Sequence, residues 1–192
     1  NDTDFFSYQA GVVFRPTEHG SIYASFATSA NPVGIDVDVD MDAANQTLDP
    51  EKARTYEVGT KWSLWENRAN INAALFRTEK QNTRIQLDAG TYTNGGESKA
   101  DGIELTATGK ITDKWNITAG YSYLDSEMTD PGPSCNRAGV CTPENPAKGQ
   151  QLPNVPENSA TLWTTYQVMP QLTLGAGAIA MDRVYGDSAN TK

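Results

Sequence analysis

Apolar and polar residues alternate with a period of two along stretch after stretch of this chain, a pattern that leaves few folds open. In Tyr56–Leu64 the apolar set is Tyr56, Val58, Trp62 and Leu64, while Glu57, Gly59, Lys61 and Ser63 take the other face. Ile71, Ala73 and Leu75 alternate with Asn70, Asn72 and Ala74, and Ile103, Leu105 and Ala107 with Glu104, Thr106 and Thr108. Trp115, Ile117, Ala119, Tyr121 and Tyr123 stand against Asn116, Thr118, Gly120 and Ser122. Leu162, Tyr166 and Val168 follow the same rule, although Trp163 interrupts the polar face, and Leu172, Leu174, Ala176 and Ala178 complete the series. Two earlier segments, near 6–15 and 20–29, have mixed faces. Together these predict eight strands.

The connections carry as much information as the strands. Arg15-Pro-Thr-Glu-His-Gly20, Trp65-Glu-Asn-Arg68, Ile111-Thr-Asp-Lys114 and Met169-Pro-Gln171 read as hairpin turns, rich in polar and breaker residues. Between them fall longer links, near 30–52, 88–97 and 127–156. Short and long links alternate, so in an up-and-down sheet every short turn lies at one rim and every long loop at the other. This is the arrangement of a transmembrane β-barrel with antiparallel strands. About ten residues per strand, tilted near 45°, cover the apolar height of such a bilayer. The segment near 68–87 is longer and projects past it. Aromatics near strand ends, among them Trp62, Trp65, Trp115 and Tyr166, fit interfacial girdles. A barrel wall also reconciles a membrane setting with 38% hydrophobic residues and a mean hydropathy of −0.55. Two other architectures share the alternation: a small closed eight-stranded barrel and a soluble β-sandwich with one wet face.

Composition narrows the function classes. No stretch approaches the run of about 18 apolar residues that a spanning helix needs. The first residues, Asn1-Asp-Thr-Asp4, show neither a charged leader nor an apolar run. A net charge of −9 argues against nucleic-acid binding, which needs clustered Lys and Arg. Cys135 and Cys141 lie in a stretch of Pro, Gly and Asn, where their spacing readily closes a disulfide loop in an oxidising compartment. A zinc site is the weaker reading, since it takes four ligands and the one histidine, His19, is far off in sequence.

Five segments in order resemble the barrel of TonB-dependent siderophore receptors of the outer membrane. Gly20-Ser-Ile-Tyr-Ala-Ser-Phe26 resembles the strand before a long external loop. Leu48-Asp-Pro-Glu-Lys-Ala-Arg-Thr-Tyr-Glu-Val-Gly-Thr-Lys61 is similar to the family's L-x-P-E-x-x-x-x-Y-E-x-G-x-K segment, and Asn72-Ala-Ala-Leu-Phe-Arg-Thr-Glu79 to the strand that follows. Gly120-Tyr-Ser-Tyr-Leu-Asp125 and Leu152-Pro-Asn-Val-Pro156 match a G-Y-x-Y-x-D strand end and an x-P-N-x-P strand entry. Within the family the set looks closest to catecholate-type ferric-siderophore receptors. The resemblance implies a barrel of about 22 strands around an N-terminal plug, energised by a TonB complex, in the outer membrane of a Gram-negative bacterium. Eight strands, no plug-like segment and no aromatic-ended terminal strand mark residues 1–192 as a partial barrel domain.

On this reading the long links face outside and meet the ligand. Arg84, Tyr92, Arg137, Lys148, Arg183 and Tyr185 fall in or near them. Guanidinium groups pair with oxygen anions and stack on rings, so cations and aromatics suit an anionic, aromatic-rich ferric chelate. Iron arrives wrapped in its chelator, so no cofactor and no direct iron ligand is expected. The partners implied are the ferric siderophore, outer-membrane lipid and lipopolysaccharide, and TonB through the plug, with no nucleic acid. In an extended run Asp36, Asp38, Asp40 and Asp42 project from one face and could collect Ca²⁺; a solvated acidic loop is the plainer reading. Glu57, Lys61 and Glu104 face inward, as lumen ion pairs or plug contacts. Nothing surrounds His19 to make a nucleophile–base pair, so no enzyme is expected.

Overall fold

The computed structural model describes residues 6–31, 49–88, 91–135 and 140–191. Eight strands form one antiparallel sheet: β1 (Gln9–Thr17), β2 (Gly20–Asn31), β3 (Glu51–Leu64), β4 (Ala69–Asp88), β5 (Thr91–Thr112), β6 (Trp115–Asp130), β9 (Asn158–Met169) and β10 (Leu172–Met181). Each pairs with the next in order. A two-stranded hairpin, β7 (Ser134–Cys135) with β8 (Cys141–Thr142), sits inside the long link between β6 and β9.

This arrangement decides among the three architectures. Among the described residues β1 and β10 make no ladder with each other, so the sheet is an open wall and the small closed barrel is excluded. Nor is there a sandwich core. Ala147 is the only buried hydrophobic residue described, whereas Val58, Leu75, Leu105, Leu162 and Leu174 are exposed.

Cross-strand register turns the alternation into a surface. Directly opposed residues share a face, so Val58, Leu75, Ile103 and Tyr123 form one continuous apolar row. The next row carries Ile22, Thr60, Ala73, Leu105, Tyr121 and Ala160. The opposite face of the same strands carries Ser21, Lys61, Asn72 and Thr106 in one row. Oily and wet faces are separated along these rows, although Phe76 and Trp163 place large apolar side chains on the wet side.

The apolar rows form a band whose two edges slope alike. The β1–β2 turn ends level with Trp62, the β3–β4 turn at Leu64 and Ala69, the β5–β6 turn at Trp115, and the β9–β10 turn at Met169 and Leu172. Each turn lies about two residues lower in the ladder than the one before, a stagger of roughly one residue per strand. On the upper edge, the first charged or strongly polar residue of the apolar face is Arg54 in β3, Arg77, Asp101 and Asp125 in β4–β6, then Asn158 and Asp182 at β9–β10. With a rise near 3.3 Å and strands about 4.8 Å apart, that stagger tilts the strands by about 35° from the band normal. About nine residues at that tilt span roughly 25 Å, the apolar height of an outer-membrane barrel.

Two strands run well past the band, as the length of 68–87 predicted. The 88–97 stretch, expected as a long connection, is mostly strand: β5 begins at Thr91, which pairs with Asp88. Its Thr, Asn and Gly residues disguise it, and the pairing with β4 continues across bulges near Thr83 and Gln86. The short turns match expectation. Trp65, Glu66 and Asn67 all adopt positive φ, at 51°, 55° and 67°, and the Ser63 hydroxyl donates to Asn67 Oδ1 at 2.6 Å across the bend. Arg68 in this turn meets Asp113 in the next one at 3.0 Å.

Candidate functional site

Three regions carry polar chemistry: the wet face of the wall, the upper edge of the band, and the long-link rim. On the wet face Tyr23 donates its hydroxyl to Glu57 Oε1 at 2.5 Å, and Lys61 Nζ lies 5.3 Å from the Tyr23 ring centroid. Gly59 makes this possible: a Cβ there would collide with the Tyr23 ring. Asn72 donates to Thr106 Oγ1 at 2.9 Å, and the Thr55 and Thr78 hydroxyls meet at 3.0 Å. Glu57, Lys61 and Glu104 make no ion pair with one another among the described residues; the first two converge on Tyr23 instead. Trp163, which interrupted the polar pattern, does face the wet side, where Gly175 and Gly177 leave room for its ring.

At the upper edge the apolar face turns ionic. Arg77 donates two hydrogen bonds to Asp101, at 2.6 and 2.8 Å, and Lys99 meets Glu127 at 2.7 Å. The hydrogen bonds from Arg77 hold the Asp101 carboxyl below its ordinary range. Likewise the Glu127 carboxylate, by hydrogen bond and then by charge, raises the Lys99 ammonium. The sequence reading missed these pairs because they join residues about 24 and 28 positions apart, which only the ladder register brings together.

The long-link rim holds the predicted ligand residues. Lys148 lies in a turn closed by its own N–H donating to Asn145 O at 3.1 Å, over the buried Ala147. Gly149, at φ +76°, then lets the chain rejoin β6: Gly149 N donates to Met128 O at 2.8 Å and Met128 N to Gln150 O at 2.9 Å. Arg183 and Tyr185 follow β10, and Asn154 N donates to Tyr185 O at 2.8 Å. Asn190 bonds back to the Gln150–Gln151 segment. Lys148, Arg183 and Tyr185 thus belong to one knitted cluster at the upper end of β6, β9 and β10.

Arg84 and Tyr92 occupy the projecting parts of β4 and β5, at the same end of the sheet. Arg137 and the acidic run Asp36, Asp38, Asp40 and Asp42 lie outside the described residues. The β7–β8 register sets Cys135 directly opposite Cys141, with no free cysteine among the described residues. His19 is at the other rim, in a cavity of about 760 Å³ lined also by Arg15, Lys61, Asn70 and Asn72, and none of the predicted ligand residues reaches it.

An open, sloping antiparallel wall with one oily face and one wet face has a counterpart among known proteins. The family described as TonB dependent receptor-like, beta-barrel matches residues 1–192. The chain belongs to the TonB-dependent receptors. A probable TonB-dependent siderophore receptor of Acinetobacter baumannii, PiuA, is 60% identical over 100% of this chain. The crystal structure of PiuA superposes on all of the chain with a TM-score of 0.89 at 59% identity, using 28% of its own length. The closed-form crystal structure of the Escherichia coli ferric-catecholate import receptor Fiu matches 94% of this chain and 25% of its own, with a TM-score of 0.74 and 31% identity. The chain therefore spans about a quarter of the relatives that it matches.

TonB-dependent receptors sit in the outer membrane of Gram-negative bacteria, which puts the apolar band in hydrocarbon and the wet face in the barrel interior. The family assignment also agrees with the expectation that the chain is not an enzyme. The short turns lie at the periplasmic rim and the long links outside.

Proposed function

We propose that these strands form part of the wall of a receptor that captures a ferric siderophore of the catecholate class at its outer rim and imports it with energy from a TonB complex. The observation that supports this most is the end-to-end agreement with PiuA, described as a probable siderophore receptor. Fiu, described as a catecholate siderophore receptor, agrees over 90% of the chain. TonB would act through a plug domain supplied by other residues of the receptor.

The chelate presents anionic oxygens and aromatic rings, so capture falls to cations and aromatics at the rim. Lys148, Arg183 and Tyr185 are held by the loop cluster, Arg84 and Tyr92 are carried on the projecting hairpin, and Arg137 belongs to the β7–β8 link. Replacing Lys148, Arg183 and Tyr185 together with Ala is expected to raise the chelate concentration for half-maximal uptake by about tenfold or more, one lost contact worth about 1.4 kcal/mol being enough. Uptake of a radiolabelled iron–tricatecholate complex by iron-starved cells reads this directly, with receptor abundance as the control. An unchanged uptake curve would remove these three residues from capture. If cells lacking the whole receptor take up every ferric chelate normally, the iron assignment itself fails.

We also infer that Cys135 and Cys141 are joined, closing the β7–β8 hairpin in the oxidising space outside the cell. The hairpin peptide is then expected to take up two thiol labels only after reduction. Full labelling of the native receptor without reductant would contradict the pairing.

A further inference from the structure

We propose that Asn145 is a positioning residue for ligand capture: its side-chain amide ties the chain leaving β6 to the Ala147–Lys148 turn and so sets where Lys148 stands at the rim. This rests on the reading of Lys148 as a capture residue, and Asn145 acts through that lysine.

The need for such a tie begins in the sequence. The long link leaves β6 through Pro131-Gly-Pro133 and comes back through Pro143-Glu-Asn-Pro146. Four of these seven residues are proline and bring no backbone donor, so a regular ladder cannot lace the two segments together. Gly132, at φ +67°, spends its own N–H on Asp130 Oδ1 at 2.9 Å, which turns the chain out of the strand.

One side chain closes the gap. Asn145 Nδ2 donates to Gly132 O at 3.1 Å and to Pro131 O at 3.4 Å, while its Oδ1 accepts from Ala147 N at 3.0 Å. A carboxamide offers two N–H groups and an acceptor in one planar head, which a carboxylate or a hydroxyl does not. Glutamine would set that head one methylene farther from the backbone, and here the backbone is used as well. Lys148 N donates to Asn145 O at 3.1 Å, so the half-buried Asn145 grips the turn at two successive amides. Ala147 is pinned beneath at 5% exposure, and Lys148 is left exposed.

The turn is therefore anchored on both sides. Beyond Lys148, Gly149 and Gln150 bond to Met128, and Asn190 joins Gln150 from the segment after β10. Before Lys148, the Asn145 amide makes the tie to the chain leaving β6. Without that amide the turn keeps one anchor, and Lys148 samples places away from Arg183 and Tyr185. The fraction of receptor ready to bind falls, which weakens apparent affinity and leaves the TonB-driven step untouched.

The test uses the complete receptor in iron-starved cells, with a radiolabelled iron–tricatecholate complex as the probe. Asn145→Ala is expected to raise the concentration for half-maximal uptake by about three- to fivefold, at an unchanged maximal rate. Lys148→Ala should raise it at least as much. In the Lys148→Ala background, Asn145→Ala should add nothing further, because the two changes remove one contact. Hydrogen exchange across residues 147–150 of the purified receptor should be faster in Asn145→Ala before any chelate is added. An unchanged half-maximal concentration, a full additional loss in the Lys148→Ala background, or a fall in maximal rate alone would each overturn the proposal. A silent Lys148→Ala beside faster exchange in Asn145→Ala removes the capture reading of the lysine, and the proposal with it. An active Lys148→Ala beside a silent Asn145→Ala removes the positioning role only. If Asn145→Ala does not reach the membrane, shown by receptor abundance and heat-modifiable migration, Asn145→Ser carries the same comparison.

Discussion

Leu105→Arg is expected to lower the unfolding free energy of the receptor barrel in lipid vesicles by about 2–4 kcal/mol, while Thr108→Arg changes it by less than about 1 kcal/mol. The two residues are three apart on β5, and both are exposed on the isolated wall. They differ in face. Leu105 lies in the row with Ala73 and Tyr121, in the body of the apolar band. Thr108 lies opposite Asn70 and Thr118 on the wet side. A guanidinium at Leu105 must leave water for hydrocarbon or drag water in with it, whereas at Thr108 it stays hydrated. Denaturant titration followed by tryptophan emission measures both. Equal losses would mean that the oily face does not meet lipid, and the reading of the sheet as a membrane wall would fall with that result.

Gly177→Val carries the second large effect, an expected loss of about 1–3 kcal/mol from overpacking. A Cβ at Gly177 would stand 2.5 Å from Trp163 Cε3 and 2.8 Å from the carbonyl oxygen of Leu162. The ring can swing away, but the carbonyl is part of the ladder and cannot. Combining Gly177→Val with Trp163→Ala should therefore recover part of the loss and not all of it, a coupling that a double-mutant cycle isolates. Strictly additive losses would show that the ring does not rest on the glycine. The indole emission of Trp163 should also shift in the single variant, since the ring leaves its shelf.

The faces of the wall were legible in the residues because alternation is local. Tyr56 through Leu64 declares its oily and wet sides within one strand, and Trp65-Glu-Asn-Arg68 declares its turn. Trp163 looked like a flaw in the pattern because its compensation, Gly177, sits on the neighbouring strand. The same limit hid the Arg77–Asp101 pair and the Tyr23–Glu57 bond, which depend on register between strands. The outer half of β5 was read as a loop since Thr, Asn, Gly and Ser dominate it and no membrane selects one oily face there. For the rim, composition pointed to cations and aromatics on long links. Grouping Lys148 with Tyr185 required backbone bonds between the β6–β9 link and the segment after β10.

The slope shared by both edges of the apolar band limits how neighbouring strands can join this wall. Slipping a partner by one residue turns its side chains inside out, an error that hydrophobicity punishes at once. A slip of two residues keeps every side chain on its proper side, so face polarity cannot detect it. It would nevertheless lift the partner's turn by a full step toward hydrocarbon or, in the other direction, sink its member of the row Arg77–Asp101–Asp125 into hydrocarbon. Depth thus proofreads what alternation cannot. A strand added to the free edge of β10 keeps its belt level only by starting one residue lower, and a strand added to β1 only by starting one residue higher.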